Sequence, residues 1–195
     1  MLSKENTTID MWLTFNDEKL DEEMNKTLEI LTKISIDYLT DKKESEAGKA
    51  IGSIEKIGKA AVLKKMEDLT VDAIRALEKI LQFSIEQDTE STTITLILTF
   101  GTIGRIAAGQ QMGIIANLAA SVLGKSGNTA ALRKKEKETI AVAVAVGEIG
   151  KAAAKVEYPD VSGNTAVCIS CLGEIGKITA QKILEEAAVG VELTL

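Results

Sequence analysis

The sequence contains no histidine, only two cysteines, a single proline, and aromatic side chains at just 3% of its 195 residues. Each shortage excludes something. Without an imidazole the chain lacks the commonest general base and metal ligand, and it cannot build the usual nucleophile–histidine triad. Two cysteines without histidine leave a four-coordinate zinc short of ligands unless carboxylates or a second chain complete it. No catalytic, cofactor or metal site is therefore expected. Acids outnumber bases, 29 against 23, for a formal charge of −6. That balance repels a phosphate backbone, and scarce aromatics leave few stacking platforms, so nucleic acid ranks last among partners.

The amino terminus, MLSKENTTIDMWLTFNDEK, has no apolar run of the length a signal peptide needs, which predicts a cytoplasmic protein in a reducing compartment. The longest uncharged stretch, residues 106–124, is long enough to cross a bilayer. It holds Gln110, Gln111, Asn117 and Ser121 and is flanked by Arg105 and Lys125, so a membrane partner is not expected.

What is present is a 45% apolar composition dominated by Ala, Ile, Leu and Val. Small and branched side chains suit backbones that approach closely, as in helix stacked on helix. The chain also repeats itself. GTIGRIAA at Gly101, GEIGKAAA at Gly147 and GEIGKITA at Gly173 share one pattern, with EKIGKAAV at Glu55 a near relative. Taking Ser35, Gly58, Leu81, Gly104, Gly124, Gly150 and Gly176 as equivalent gives gaps of 23, 23, 23, 20, 26 and 26. A unit of about two dozen residues recurs, which is the mark of a repeat architecture.

TTITLILTF and TIAVAVAV would read as strands in isolation, but the polar positions decide for helix. Asp72, Arg75, Lys79, Gln82 and Glu86 step by three and four, as do Thr95, Thr99, Thr102 and Arg105, then Glu148, Lys151 and Lys155, then Glu174, Lys177, Gln181 and Glu185. That is one wetted stripe on a helix, whereas a strand would scatter these residues over both faces. GNTA at Gly127 and again at Gly163 pairs a glycine suited to end one helix with an asparagine suited to cap the next. Asn16 before DEKLDEE and Pro159 in EYPDVSGN predict further helix boundaries. The segment LRKKEKETIA, which separates GNTA from GEIG in the first copy but not the second, reads either as a helix longer by about three turns or as an exposed elbow.

The paired glycines of GEIGK lie three apart, hence on one helix face, where missing side chains admit a neighbouring helix. The rival is phosphate cradling, but GxxGK is only a fragment of such a motif. Ala119–Ser126 satisfies a loose P-loop pattern, yet its loop is apolar and without glycine. Cys168 and Cys171 read as buried small hydrophobes, with a redox or half-metal turn as the alternative. The basic run 133–137 reads as a solvated face, with an anionic partner as the alternative.

The stretches AVGEIGKAAA, SCLGEIGKITA, TFGTIGRIAA and SIEKIGKAAV, together with DLTVDAIRALEKI, resemble HEAT-like repeats of the short class first noticed in bilin lyases. The likeness covers about residues 45–186. It implies an all-α fold, an α–α superhelix of about three helix hairpins, with residues 1–42, including Trp12, as an N-terminal helical cap and 43–195 as the repeats. The expected aspartate and arginine turn is clear only at Asp68 to Arg75, and the third pair is longer than the period predicts. The resemblance implies a binding platform. Counting the helices around 81, 124 and 176 as the second of each pair places Asp72, Arg75, Lys79, Asn117, Ser121, Glu174, Lys177 and Gln181 on its inner surface as candidate contacts for a protein or peptide partner.

The leading expectation is thus a non-enzymatic scaffold or interaction module. An enzyme-maturation or lyase-like factor binding a small molecule is the alternative. A homo-oligomer that self-associates through residues 106–124 is the third.

Overall fold

Long stretches free of proline form helices one after another, four of them with acids in the first turn. The computed structural model describes residues 18–156 and 161–192, with side chains described from 22 to 156 and, with interruptions, from 163 to 181. These residues form α1 (Glu18–Thr40), α2 (Glu44–Leu63), α3 (Glu67–Glu86), α4 (Glu90–Gly109), α5 (Gly113–Leu132), α6 (Glu136–Ala154) and α7 (Val161–Glu192), with no strand among them. The expected boundaries at Asn16 and Pro159, and Trp12 of the expected cap, lie outside the described residues.

The helices α2 to α6 begin at 44, 67, 90, 113 and 136, a constant step of 23. Every corner between them is the same object. Lys42, Lys65, Asp88, Gln111 and Lys134 all adopt positive φ, between 57° and 64°. In each corner the next residue's N–H bonds the carbonyl five back, from Lys43 to Tyr38 at 2.8 Å through Lys135 to Ala130 at 2.9 Å. Four residues into the next helix an N–H bonds back to that corner residue's own carbonyl, as Ala47 does to Lys43. This is a Schellman closure in which one residue ends a helix and starts its successor. No side-chain cap accompanies it.

Two expectations are corrected here. Helices were expected to end on glycine and restart on asparagine, but Gly127 and Asn128 lie inside α5 and the second GNTA lies in the first turn of α7. The left-handed residue is never glycine. The LRKKEKETIA segment contains an ordinary corner at Arg133–Lys135, so the elbow reading holds there, and the extra length of the third pair lies instead before α7, which begins 25 residues after α6. A non-glycine residue in the left-handed region costs about 1–2 kcal/mol, and glycine returns about 0.5–1 kcal/mol of that as chain entropy. Gln111→Gly is therefore expected to stabilise the fold by roughly 0.5–1 kcal/mol, read as a rise of a few degrees in Tm.

The core follows the same step. Leu31, Ile54, Leu77, Phe100, Leu123 and Val146 succeed one another at 23 residues and are all fully buried. Each helix packs on the next and on the next but one, so α1, α3, α5 and α7 touch in series, as do α2, α4 and α6. Where a glycine sits at the contact, the neighbour comes very close. A Cβ on Gly101 would stand 2.8 Å from the Ala145 Cβ, and one on Gly104 2.5 Å from Ile149 Cδ1. A Cβ on Gly124 would stand 2.6 Å from Cys171 Sγ, and one on Gly127 2.5 Å from Ile175 Cδ1.

These pairs also repair the uneven spacing expected from the glycines. Gly127, not Gly124, is the counterpart of Gly104, which restores the step of 23 through α6. In α7 the register moves on by three, since Ile149 faces Gly104 at 45 residues' remove but Ile175 faces Gly127 at 48. In α3 the two equivalent places are Glu78 and Leu81 rather than glycine. Their side chains occupy the space that glycine leaves empty elsewhere, and α3 and α5 touch far less than α5 and α7 do.

Candidate partner-binding grooves

Two grooves open along the α1–α3–α5–α7 series. The first, about 790 Å³, lies between α1 and α3 and is lined by Glu29, Lys33 and Asp37 from α1, with Asp72, Arg75 and Lys79 from α3 and an apolar floor of Leu28, Ile36 and Ala76. The second, about 210 Å³, lies between α3 and α5, bordered by Glu78, Leu81, Gln82 and Glu86 on one side and Lys125, Thr129 and Arg133 on the other. Glu78 and Leu81, the two side chains that stand in place of glycine, are what hold this second groove open.

Arg75 reaches Asp72 at 3.6 Å within the first groove, whereas Lys33, Lys79, Glu29 and Asp37 make no ion pair among the described residues. Exposed charges cost little to leave unpaired in water and remain available to a ligand. Asp72, Arg75 and Lys79 thus sit together in one groove. Asn117 and Ser121 are half-buried on α5 and line neither groove, and the Asn117 Oδ1 is covered without a hydrogen-bond partner among the described residues. Glu174, Lys177 and Gln181 are exposed on α7, away from both. The α1 residues of the groove were not anticipated, because the sequence before residue 43 reads as a cap.

The other candidates take structural places. Ala119–Ser126 is mid-helix in α5, with the Ser126 hydroxyl donating to the Val122 carbonyl at 3.0 Å, so no phosphate loop exists there. The basic run clamps one corner to another: Arg133 donates to the Ile85 carbonyl at 2.9 Å, Lys135 pairs with Asp88, and Lys137 pairs with Glu90 at 2.7 Å. In the second wetted stripe Thr99 is buried instead, donating to Glu55 at 3.4 Å.

Both cysteines are free thiols. They occupy core rows whose other members are small or aliphatic, Cys168 following Ala119 and Val142, and Cys171 following Val122 and Ala145. Burial pushes the Cys168 thiol up to about 11, with the neighbouring Cys171 adding to the rise. Burial also raises Cys171, whose Sγ lies 3.6 Å from the Ala120 carbonyl. This is the opposite of the lowered pKa a redox turn needs. Native chain at pH 8 is expected to react slowly with iodoacetamide at Cys168 and to be modified at both cysteines once unfolded, read by mass spectrometry. Since the folded thiol holds its proton more tightly, its stabilising share is present below about pH 8.5, the unfolded value, and is lost as pH rises towards about 11.

No family model, curated protein or solved structure matches the chain. The structure itself adds one surface that the sequence reading did not single out. Leu98 on α4 and Ile140 and Val144 on α6 are each more than half exposed, on the series opposite the grooves. Residues 106–124, by contrast, supply core at Ala107, Ile115, Ala119 and Leu123 among others, with Ile114 the exposed large apolar side chain of the stretch. By length and composition α4 would suffice to cross a membrane, and 61% of that stretch is buried against the rest of the fold.

Proposed function

We propose that the chain is a HEAT-like α–α superhelix that works as a non-enzymatic interaction module, binding a protein or peptide segment along the α1–α3–α5 side. The corner that recurs every 23 residues, with the substantial contacts among the described residues confined to near neighbours, supports the array reading. The binding reading rests above all on the groove between α1 and α3, with its apolar floor and its rim of both signs of charge. Apolar floors supply affinity and charged rims supply register, the usual division in protein recognition.

The test is affinity capture from the native host's lysate with the full chain, comparing wild type, Arg75→Ala/Lys79→Ala, and Lys151→Ala on the opposite series. A stoichiometric protein partner held by wild type and Lys151→Ala but lost from the double variant is the expected result. A partner that survives the double variant, or a small molecule that copurifies with no protein, overturns the reading.

A further inference from the structure

One charge repeats with the fold along the grooved side. Lys33 on α1, Lys79 on α3 and Lys125 on α5 occupy the same place in successive helix pairs, from 33 to 79 to 125 in the chain. All three are exposed, and none makes an ion pair among the described residues. Lys33 and Lys79 line the first groove and Lys125 the second, so the row joins the two grooves. At the α7 place, three residues later by the shifted register, stands Glu174, which ends the row by reversing its sign.

We propose, resting on the interaction-module reading above, that this row selects an acidic peptide segment laid across the helices, with a carboxylate at every third residue. Stacked helices stand about 8–10 Å apart, which sets the step between successive lysines. A segment in the polyproline II form rises about 3.1 Å per residue with three residues per turn, so every third side chain faces the same way about 9 Å further on. The two periods match. The acids that share the first groove do not repeat: the places equivalent to Glu29 on α3 and α5 hold Arg75 and Ser121, those equivalent to Asp37 hold Phe83 and Thr129, and those equivalent to Asp72 on α1 and α5 hold Lys26 and Leu118. A strand running across the helices therefore meets lysine in the same place at each step, while the acids beside it, Glu29 and Asp37 on α1 and Asp72, Glu78 and Glu86 on α3, change place from helix to helix. Those flanking acids, with Glu78 and Glu86 in the second groove, disfavour the denser charge of a nucleic-acid backbone.

The probe is a fluorescein-labelled peptide with Glu at every third position and small polar residues between, read by anisotropy against the full chain. A scrambled peptide of the same composition and a random single-stranded RNA serve as comparisons. The spaced peptide is expected to bind best, to weaken with salt, and to lose roughly threefold in affinity for each of Lys33→Gln, Lys79→Gln and Lys125→Gln, or about thirtyfold for the triple variant. These exposed substitutions leave the core intact, which an unchanged Tm verifies. Equal binding of spaced and scrambled peptides, an unaltered triple variant, no measurable binding, or tighter lysine-dependent binding of the RNA each overturns the proposal. If the peptide fails while a host partner is still captured through Arg75 and Lys79, the acidic specificity falls and the interaction module stands.

Discussion

Gly101→Leu is expected to destabilise the protein by about 3 kcal/mol or more, whereas Gly147→Leu, the same motif position 46 residues on, is expected to stabilise it by somewhat under 1 kcal/mol. The two glycines look alike in sequence, each opening a G-x-I-G. They differ in what faces them. A Cβ at residue 101 meets the Ala145 Cβ at 2.8 Å and its Cα at 3.2 Å, so the obstacle is a helix backbone that no rotamer change can move aside. A Cβ at residue 147 meets nothing within 4 Å. The first substitution must push α4 and α6 apart, and the second merely exchanges a poor helix former for a good one. Thermal unfolding of both variants reads the contrast, about 6–12 °C down for the first and a small rise for the second. Equal loss at both positions would mean that the glycines matter for the helix itself rather than for the neighbour.

The same contrast explains which parts of this molecule are legible in its sequence. The helical stripes and the recurring unit follow from side-chain spacing, and the wetted residues 72–86 lie on the half-buried to exposed side of α3. The corners do not announce themselves, because Lys, Lys, Asp, Gln and Lys carry no common signature, and the left-handed residue is imposed by the closure around it. Reading Gly127 as punctuation placed a break inside α5, where Gly127, like Gly124, is instead contact surface, for Ile175 and Cys171 respectively. The grooves were half visible. Asp72, Arg75 and Lys79 sit in one, but the reason the second is open is an absence of glycine at Glu78 and Leu81, which has meaning only once the tight pairs at α4–α6 and α5–α7 are known. Their lysine row was present in the numbering all along, yet Lys33 lay in a segment read as a cap. Glu174, Lys177 and Gln181 were grouped with Asp72, Arg75 and Lys79 on one inner surface by helix parity alone, and they line neither groove.

Phe100→Ala is expected to cost about 3–5 kcal/mol, and the manner of its unfolding is the sharper test. Among the described residues Phe100 heads the fully buried side chains by volume, and it sits in α4, the helix that packs on α2, α3, α5 and α6. The substantial contacts among the described residues reach no further than the next helix but one. A cavity in α4 therefore weakens the link between α1–α3 on one side and α5–α7 on the other while leaving contacts within each group in place. Chains coupled only to near neighbours lose cooperativity when the middle is weakened. Urea unfolding of Phe100→Ala should accordingly separate into two transitions, or show a lowered m-value if they overlap. Hydrogen exchange should rise most in α4 and in the helices on it, and least in α1. Leu98→Ala, two residues away but 51% exposed, should change stability by no more than about 0.5 kcal/mol and keep a single transition. If Phe100→Ala instead unfolds in one step with an unchanged m-value, stability in this chain is shared across the whole molecule, and the near-neighbour array is the wrong physical description of it.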